Sequence, residues 1–198
     1  MNLQAFVGNS LPDLKLLAAL VLAKSGDAAR ANGLTRELEN KNPLNTLIKS
    51  YWLPTVKASL EVRAGNPQTA LSLLQIAAPY ELAQTSNVSN VSNMYPAYIR
   101  GQAYLLAHNG GAAAAEFKKL LDHRGIVQNS ILGALSLLQL ARAEVMMGDL
   151  GGSQTVQRLS LFVERRRPRH LNPETSQGGI RKAVVSRLSQ KWRKRSSR

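Results

Sequence analysis

Four short breaks, Ser25-Gly26-Asp27, Gly65-Asn66-Pro67, Asn109-Gly110-Gly111 and Gly148-Asp149, interrupt runs of apolar and small residues that recur at helical spacing. Such a break is a stop-and-restart signal, so each predicts a turn between two antiparallel helices. Gly26, Gly65, Gly110 and Gly148 are separated by 39, 45 and 38 residues, a period that signals stacked helical units. The expected helices run over residues 14–25, 28–40, 51–64, 69–77, 96–107, 112–122 and 131–147. The second stops at Asn42-Pro43, because the residue before proline resists helical dihedrals, and Pro54 is tolerated near the first turn of the third. The chain is therefore expected to be all-α, with three complete hairpins and the outgoing helix and turn of a fourth.

Composition fits closely packed helices. Apolar residues make up 44% of the 198, yet aromatics only 5%, so alanine and leucine carry most of the core. The formal charge of +14 is unevenly placed: residues 1–152 hold thirteen Lys/Arg against ten Asp/Glu, whereas residues 153–198 hold thirteen against two. Basicity thus belongs to the last quarter of the chain. With no cysteine, disulfides, thiol chemistry and cysteine-ligated zinc are excluded. The strongest apolar stretch, Leu14 to Ala23, is interrupted by Lys15 and is far short of the ~20 residues a bilayer-spanning helix needs. No membrane insertion is expected, no leader-like segment follows Met1, and the expected compartment is the cytoplasm. Between Tyr80 and Tyr95 the repeated NVSNVS predicts a polar surface loop; Asn87 and Asn90 there match the N-x-S pattern, which without a secretory leader reads as loop chemistry.

The third unit, YPAYIRGQAYLLAHNGGAAAAEFKKLLDHRGIV, resembles the tetratricopeptide repeat. Gly101 stands at the small position of its first helix and Tyr104 at the aromatic one, with Ala113 and Phe117 at the small and large positions of its second. Ala19, Ala58 and Ala141 match the first small position in the other units, and Ala31 and Ala70 the second. The wording of NPLNTLIKSYWLPTVKASLEVRAGNPQTALSLLQIAAPYEL, YPAYIRGQAYL and LDHRGIV is similar to the C-terminal repeat regions of bacterial, acidobacterial-type serine/threonine protein kinases and related regulators, over residues 10–150. The resemblance implies an α-solenoid, a right-handed superhelix whose first helices line a concave groove that receives a protein or peptide. It places Thr55, Ser59, Arg63, Tyr98, Gln102 and Arg142 in that groove. Glycine-rich loop, HRD and DFG motifs are all missing from the chain, so no kinase activity is expected of it.

The same resemblance implies a returning helix after Gly148-Asp149 and then a tryptophan-containing stretch, which residues 153–198 do not supply. Back-translated with suitable synonymous codons and read from the second base of each codon, Val163 to Lys182 give WNDADPDILILKQAKAEYAK, close to the family ending. The expected organisation is therefore a remnant of a preceding unit at 1–10, a repeat domain at 11–152, and a basic, off-frame, poorly ordered tail at 153–198, the whole a regulatory fragment. Taken at face value instead, the tail's arginines and Trp192 would form a nucleic-acid-binding arm, the leading alternative function.

No catalytic, cofactor-binding or metal-ligating set stands out. His108, His123 and His170 form no i,i+4 pair, no serine sits in a nucleophile motif, and Gly110-Gly111 opens no phosphate loop. His123-Arg124 is expected to cap a helix C-terminus. Protein–protein interaction, without enzyme activity or cofactor, is the expected function.

Overall fold

A computed structural model describes residues 12–83, 94–127 and 130–148. Their elements are all helical: α1 Pro12–Ser25, α2 Ala28–Lys41, α3 Leu53–Ala64, α4 Pro67–Leu74, α5 Tyr95–Leu106, α6 Gly110–Asp122, the single turn α7 Arg124–Val127, and α8 Ile131–Met146. No strand occurs among the described residues. These residues lie in one compact unit, Met1–Ser160. The expected remnant at 1–10, the N-x-S sites Asn87 and Asn90, the boundary at 153 and the basic tail all fall outside the described residues.

Three hairpins pair α1 with α2, α3 with α4 and α5 with α6. Their first helices touch in series, α1 to α3 to α5 to α8, and each second helix also meets the next first helix. Every hairpin therefore buries its apolar stripe partly against its own partner and partly against the following unit. One continuous core results, running from Leu16 and Ala19 through Val56, Ala70 and Ile99 to Phe117 and Leu140.

The turns share one device, which corrects the glycine count made from sequence. Gly26, Gly65 and Gly148 have φ of 94°, 86° and 76°, and the matching residue of the third hairpin is His108, at φ 56°, instead of Gly110. The spacing becomes 39, 43 and 40 residues. An Asx residue follows each: Asp27, Asn66, Asn109 and Asp149. The side chains of Asp27 and Asn109 accept from the amides of Arg30 and Ala112, so the stop of one helix is also the start of the next. Gly110 has a different task. A Cβ there would lie 2.8 Å from Met147 Cγ and 2.9 Å from the Ala143 carbonyl oxygen, so its bareness lets α6 start against the end of α8.

Counted from these left-handed residues, the packing positions recur without a shift. Seven residues before each stand Ala19, Ala58, Gly101 and Ala141. Five after stand Ala31, Ala70 and Ala113; twelve after, Leu38, Ala77 and Leu120, all buried. Nine after come Thr35, Leu74 and Phe117, again buried. A Cβ on Gly101 would lie 2.6 Å from Phe117 Cζ, so the largest side chain of this register faces the one first-helix position with no side chain at all. Phe117 meets Tyr98 edge to face, centroids 5.8 Å apart, while Tyr104 packs at the margin of the core. Tyr98 is thus the aromatic partner of Phe117.

Helix α3 begins differently from its siblings. Pro54 has no N–H to give the ladder, and the chain enters through a π-helical turn, Ile48–Trp52, in which the Leu53 amide donates to the Ile48 carbonyl. Trp52 from this turn packs on Tyr51 and on Tyr95 of α5.

Candidate partner-binding surface

Three registers of the first helices decide what a partner can reach. Ten and six residues before the left-handed residue stand Thr55 and Ser59 of α3, Tyr98 and Gln102 of α5, and Arg142 of α8; two before stand Lys24 and Arg63. Spacing by four keeps these on one helical face. None of them is acidic, and the carboxylates Glu61 and Glu144, four before the left-handed residue, lie about 200° around the helix.

Of the six residues expected to line a groove, only some are accessible. Thr55 is fully buried, and its hydroxyl donates to the Tyr51 carbonyl, an acceptor inside the π turn ahead of Pro54. It supports the start of α3 and meets no partner. Ser59, 4% exposed, is buried in the helix packing. Tyr98, 3% exposed, belongs to the core through Phe117. The resemblance that places all six in a groove therefore does not hold for the accessibility of these three, which are buried in the packing. Arg63 and Arg142 are exposed and Gln102 is half-buried.

The accessible residues are connected through two that sequence reasoning missed. Lys24 Nζ of α1 donates to Gln102 Oε1 of α5 at 2.7 Å and stands 5.1 Å from the centre of the Tyr98 ring, a cation–π contact. Gln139 of α8 donates to the Tyr98 hydroxyl at 3.4 Å and accepts from Arg142 at 3.2 Å. Arg63 lies over the turn after α1: a Cβ on Gly26 would be 3.1 Å from its Nε. Lys24 was legible in principle, since it precedes Gly26 by the two residues that separate Arg63 from Gly65. Desolvation pushes the Lys24 ammonium down to about 8, because its neighbours are an amide oxygen and a ring face. Burial raises the Tyr98 phenol, against smaller opposing effects of Gln139 and Arg142.

A second charged cluster lies elsewhere and is self-contained. Glu81, with no exposed surface, pairs with Arg100 of α5 and, at 2.6 Å, with Lys119 of α6; Arg100 also binds Glu116 at 3.1 Å and the Leu74 carbonyl at 3.3 Å. Burial alone would lower the Arg100 pKa, but Glu81 and Glu116 hold it above its ordinary value. At the far end of α6, the His123 ring lies 2.8 Å from the Lys119 carbonyl and Arg124 donates to Leu121, the capping role expected of this pair.

Among the described residues, no group of His, Asp and Glu is placed to hold a metal ion, and no helix is long and apolar enough to cross a membrane. No family model, no curated protein and no solved structure matches the chain.

Proposed function

We propose that the chain is a tetratricopeptide-type α-solenoid that binds a protein partner along the face of its first helices and catalyses no reaction. The observation that carries this reading is the repeated register. Left-handed residue, Asx, and small residues seven before and five after recur through three hairpins, and first helix meets first helix in series. Units whose helices pack chiefly on the next unit form extended arrays, here with Lys24 of the first hairpin also reaching Gln102 and Tyr98 of the third, and such arrays present a pre-organised surface to a peptide or a partner helix. The accessible part of that surface is Lys24, Arg63, Gln102 and Arg142. The likeness of 10–150 to kinase-associated repeat regions supports a scaffold or sensor role.

A displayed random-peptide library selected on the full chain tests this, with hydrogen exchange mapping the bound site. Enriched peptides should slow exchange in α1, α3, α5 and α8. Failure of any peptide to enrich sinks the proposal. So does protection confined to 153–198, which would favour a tail-based interaction such as nucleic-acid binding.

A further inference from the structure

We infer that the Lys24–Arg63–Arg142 ridge is a docking surface for an acidic peptide segment of a partner protein, an inference that rests on the array reading above. Five cations outside the ridge, Lys15, Arg30, Lys41, Arg100 and Lys119, pair with carboxylates, and the three on it do not. The acidic side chains Asp27, Glu37, Glu81 and Glu116 each engage a cation: Arg30, Lys15 and Lys41, Arg100 and Lys119, and Arg100 respectively. On the ridge, cations are held by neutral groups. Lys24 has Gln102 and the Tyr98 ring, Arg142 has Gln139, and Arg63 makes no ion pair among the described residues.

These three cations come from α1, α3 and α8, the first helices of the first, second and fourth units, and Gln102 and Tyr98 belong to α5 of the third. A partner contacting all of them would cross units, which suits a segment of chain better than a single small anion. Its carboxylates would supply the counter-charge the ridge lacks, and Gln102 could exchange its bond with Lys24 for one to the partner's backbone. Desolvation of the Lys24 ammonium marks where a carboxylate gains most, because opposite charge restores the protonated form that the site now penalises. Charge excludes the chain's own tail as occupant, since 153–198 carries thirteen Lys/Arg against two Asp/Glu. Nucleic acid is the poorer fit. The Tyr98 ring is buried between Phe117 and Lys24 and offers no face for a base, and three cations are few beside the 6–10 phosphate contacts of a typical duplex binder.

The test uses the full chain and two fluorescent probes, a peptide of about twelve alternating glutamate and alanine residues and its glutamine counterpart, at near-physiological salt. One variant combines Lys24→Gln, Arg63→Gln and Arg142→Gln. A second removes equal charge from the tail by Arg165→Gln, Arg166→Gln and Arg167→Gln. The glutamate peptide should bind the wild type, weaken about tenfold or more on the ridge variant, and change less than about twofold on the tail variant. Circular dichroism and urea midpoints near wild type establish that the ridge variant is folded; Lys24→Arg, which keeps the charge, should retain most of the affinity. Loss on the tail variant with none on the ridge variant overturns the inference. Equal binding of glutamate and glutamine peptides overturns it too, yet leaves the array reading intact if both protect the first helices. A ridge variant that loses a DNA duplex but keeps the acidic peptide assigns the surface to nucleic acid. If neither peptide binds and the library also enriches none, inference and array reading fall together.

Discussion

Arg100 and Arg142 both project from first helices, α5 and α8, yet they meet opposite surroundings. Arg100 is clamped by Glu81, Glu116 and the Leu74 carbonyl, and Lys119 closes the cluster from α6. Arg142 donates to the side-chain oxygen of Gln139 and makes no ion pair among the described residues. The first arrangement joins the end of α4 and the residues after it to the third hairpin, so its charges are consumed by the fold. Charges held by neutral groups are free to be consumed by something else. The contrast separates two roles that the charge pattern of a sequence leaves mixed.

Breaking the Glu81 cluster should have the largest effect. Glu81→Ala takes the carboxylate partner from Lys119 and leaves Arg100 with Glu116 alone, and loss of one partner from a buried pair costs up to about 3–5 kcal/mol. Urea denaturation should show that loss, whereas Arg142→Gln should stay within about 0.5 kcal/mol of wild type, as exposed substitutions do. Equal costs for the two variants would erase the distinction between fold-bound and free charge.

The packing register offers a second lever, of intermediate size. Gly101→Ala puts a methyl 2.6 Å from Phe117 Cζ, and overpacking of this kind costs about 1–3 kcal/mol. The neighbouring hairpin pairs Ala58 with Leu74 at the same two positions. Phe117→Leu should therefore recover part of the loss in the double variant, giving a favourable coupling measurable in a double-mutant cycle. Strict additivity would mean that the two positions are not matched in size.

A smaller gain is expected at the turn. His108 adopts φ 56° where the other turns use glycine, and His108→Gly should raise stability by up to about 1 kcal/mol as left-handed strain is relieved. Gly26→Ala or Gly65→Ala should move stability the other way by a similar amount. A His108→Gly variant with an unchanged urea midpoint would remove the equivalence of the four turns.

Much of this fold is legible in the sequence because its rules are local. Helix ends follow from Gly and Asx, and close approach follows from Ala and Gly at fixed offsets, so the hairpins and the small-to-large pairing of Gly101 with Phe117 can be read directly. His108 was overlooked because a left-handed histidine has no compositional mark and Gly110, two residues on, draws the eye. Burial at the surface was less legible. Thr55 and Tyr98 lie on the predicted face, but whether that face is open depends on how far the next unit advances, which is tertiary information. The Lys24 contacts with Gln102 and Tyr98 join residues more than seventy positions apart, and no local pattern announces them.

The smallest expected effect, cut down by solvent because Lys24 is an exposed residue, concerns protons at that contact. Burial lowers the folded-state Lys24 pKa to about 8 from 10.5, so between these values the unfolded chain binds more protons than the folded one. Stability then rises with pH across that window, the opposite of a lysine held by a carboxylate. Tyr95 and Tyr98, whose burial raises their pKa, act against it, since their ionisation favours the unfolded chain near and above pH 10. Comparison with Lys24→Gln isolates the lysine. The variant should be the more stable protein at pH 7, and its advantage should shrink steadily from pH 8 to 10. Bound acidic peptide should reverse the sign, because a carboxylate beside the ammonium raises its pKa and makes affinity fall as pH climbs through the same window. A constant difference between the two proteins across pH 7–10 would show that the Lys24 ammonium is as well solvated as any surface lysine. The ridge would then lose the feature that most distinguishes it from the satisfied cluster at Glu81.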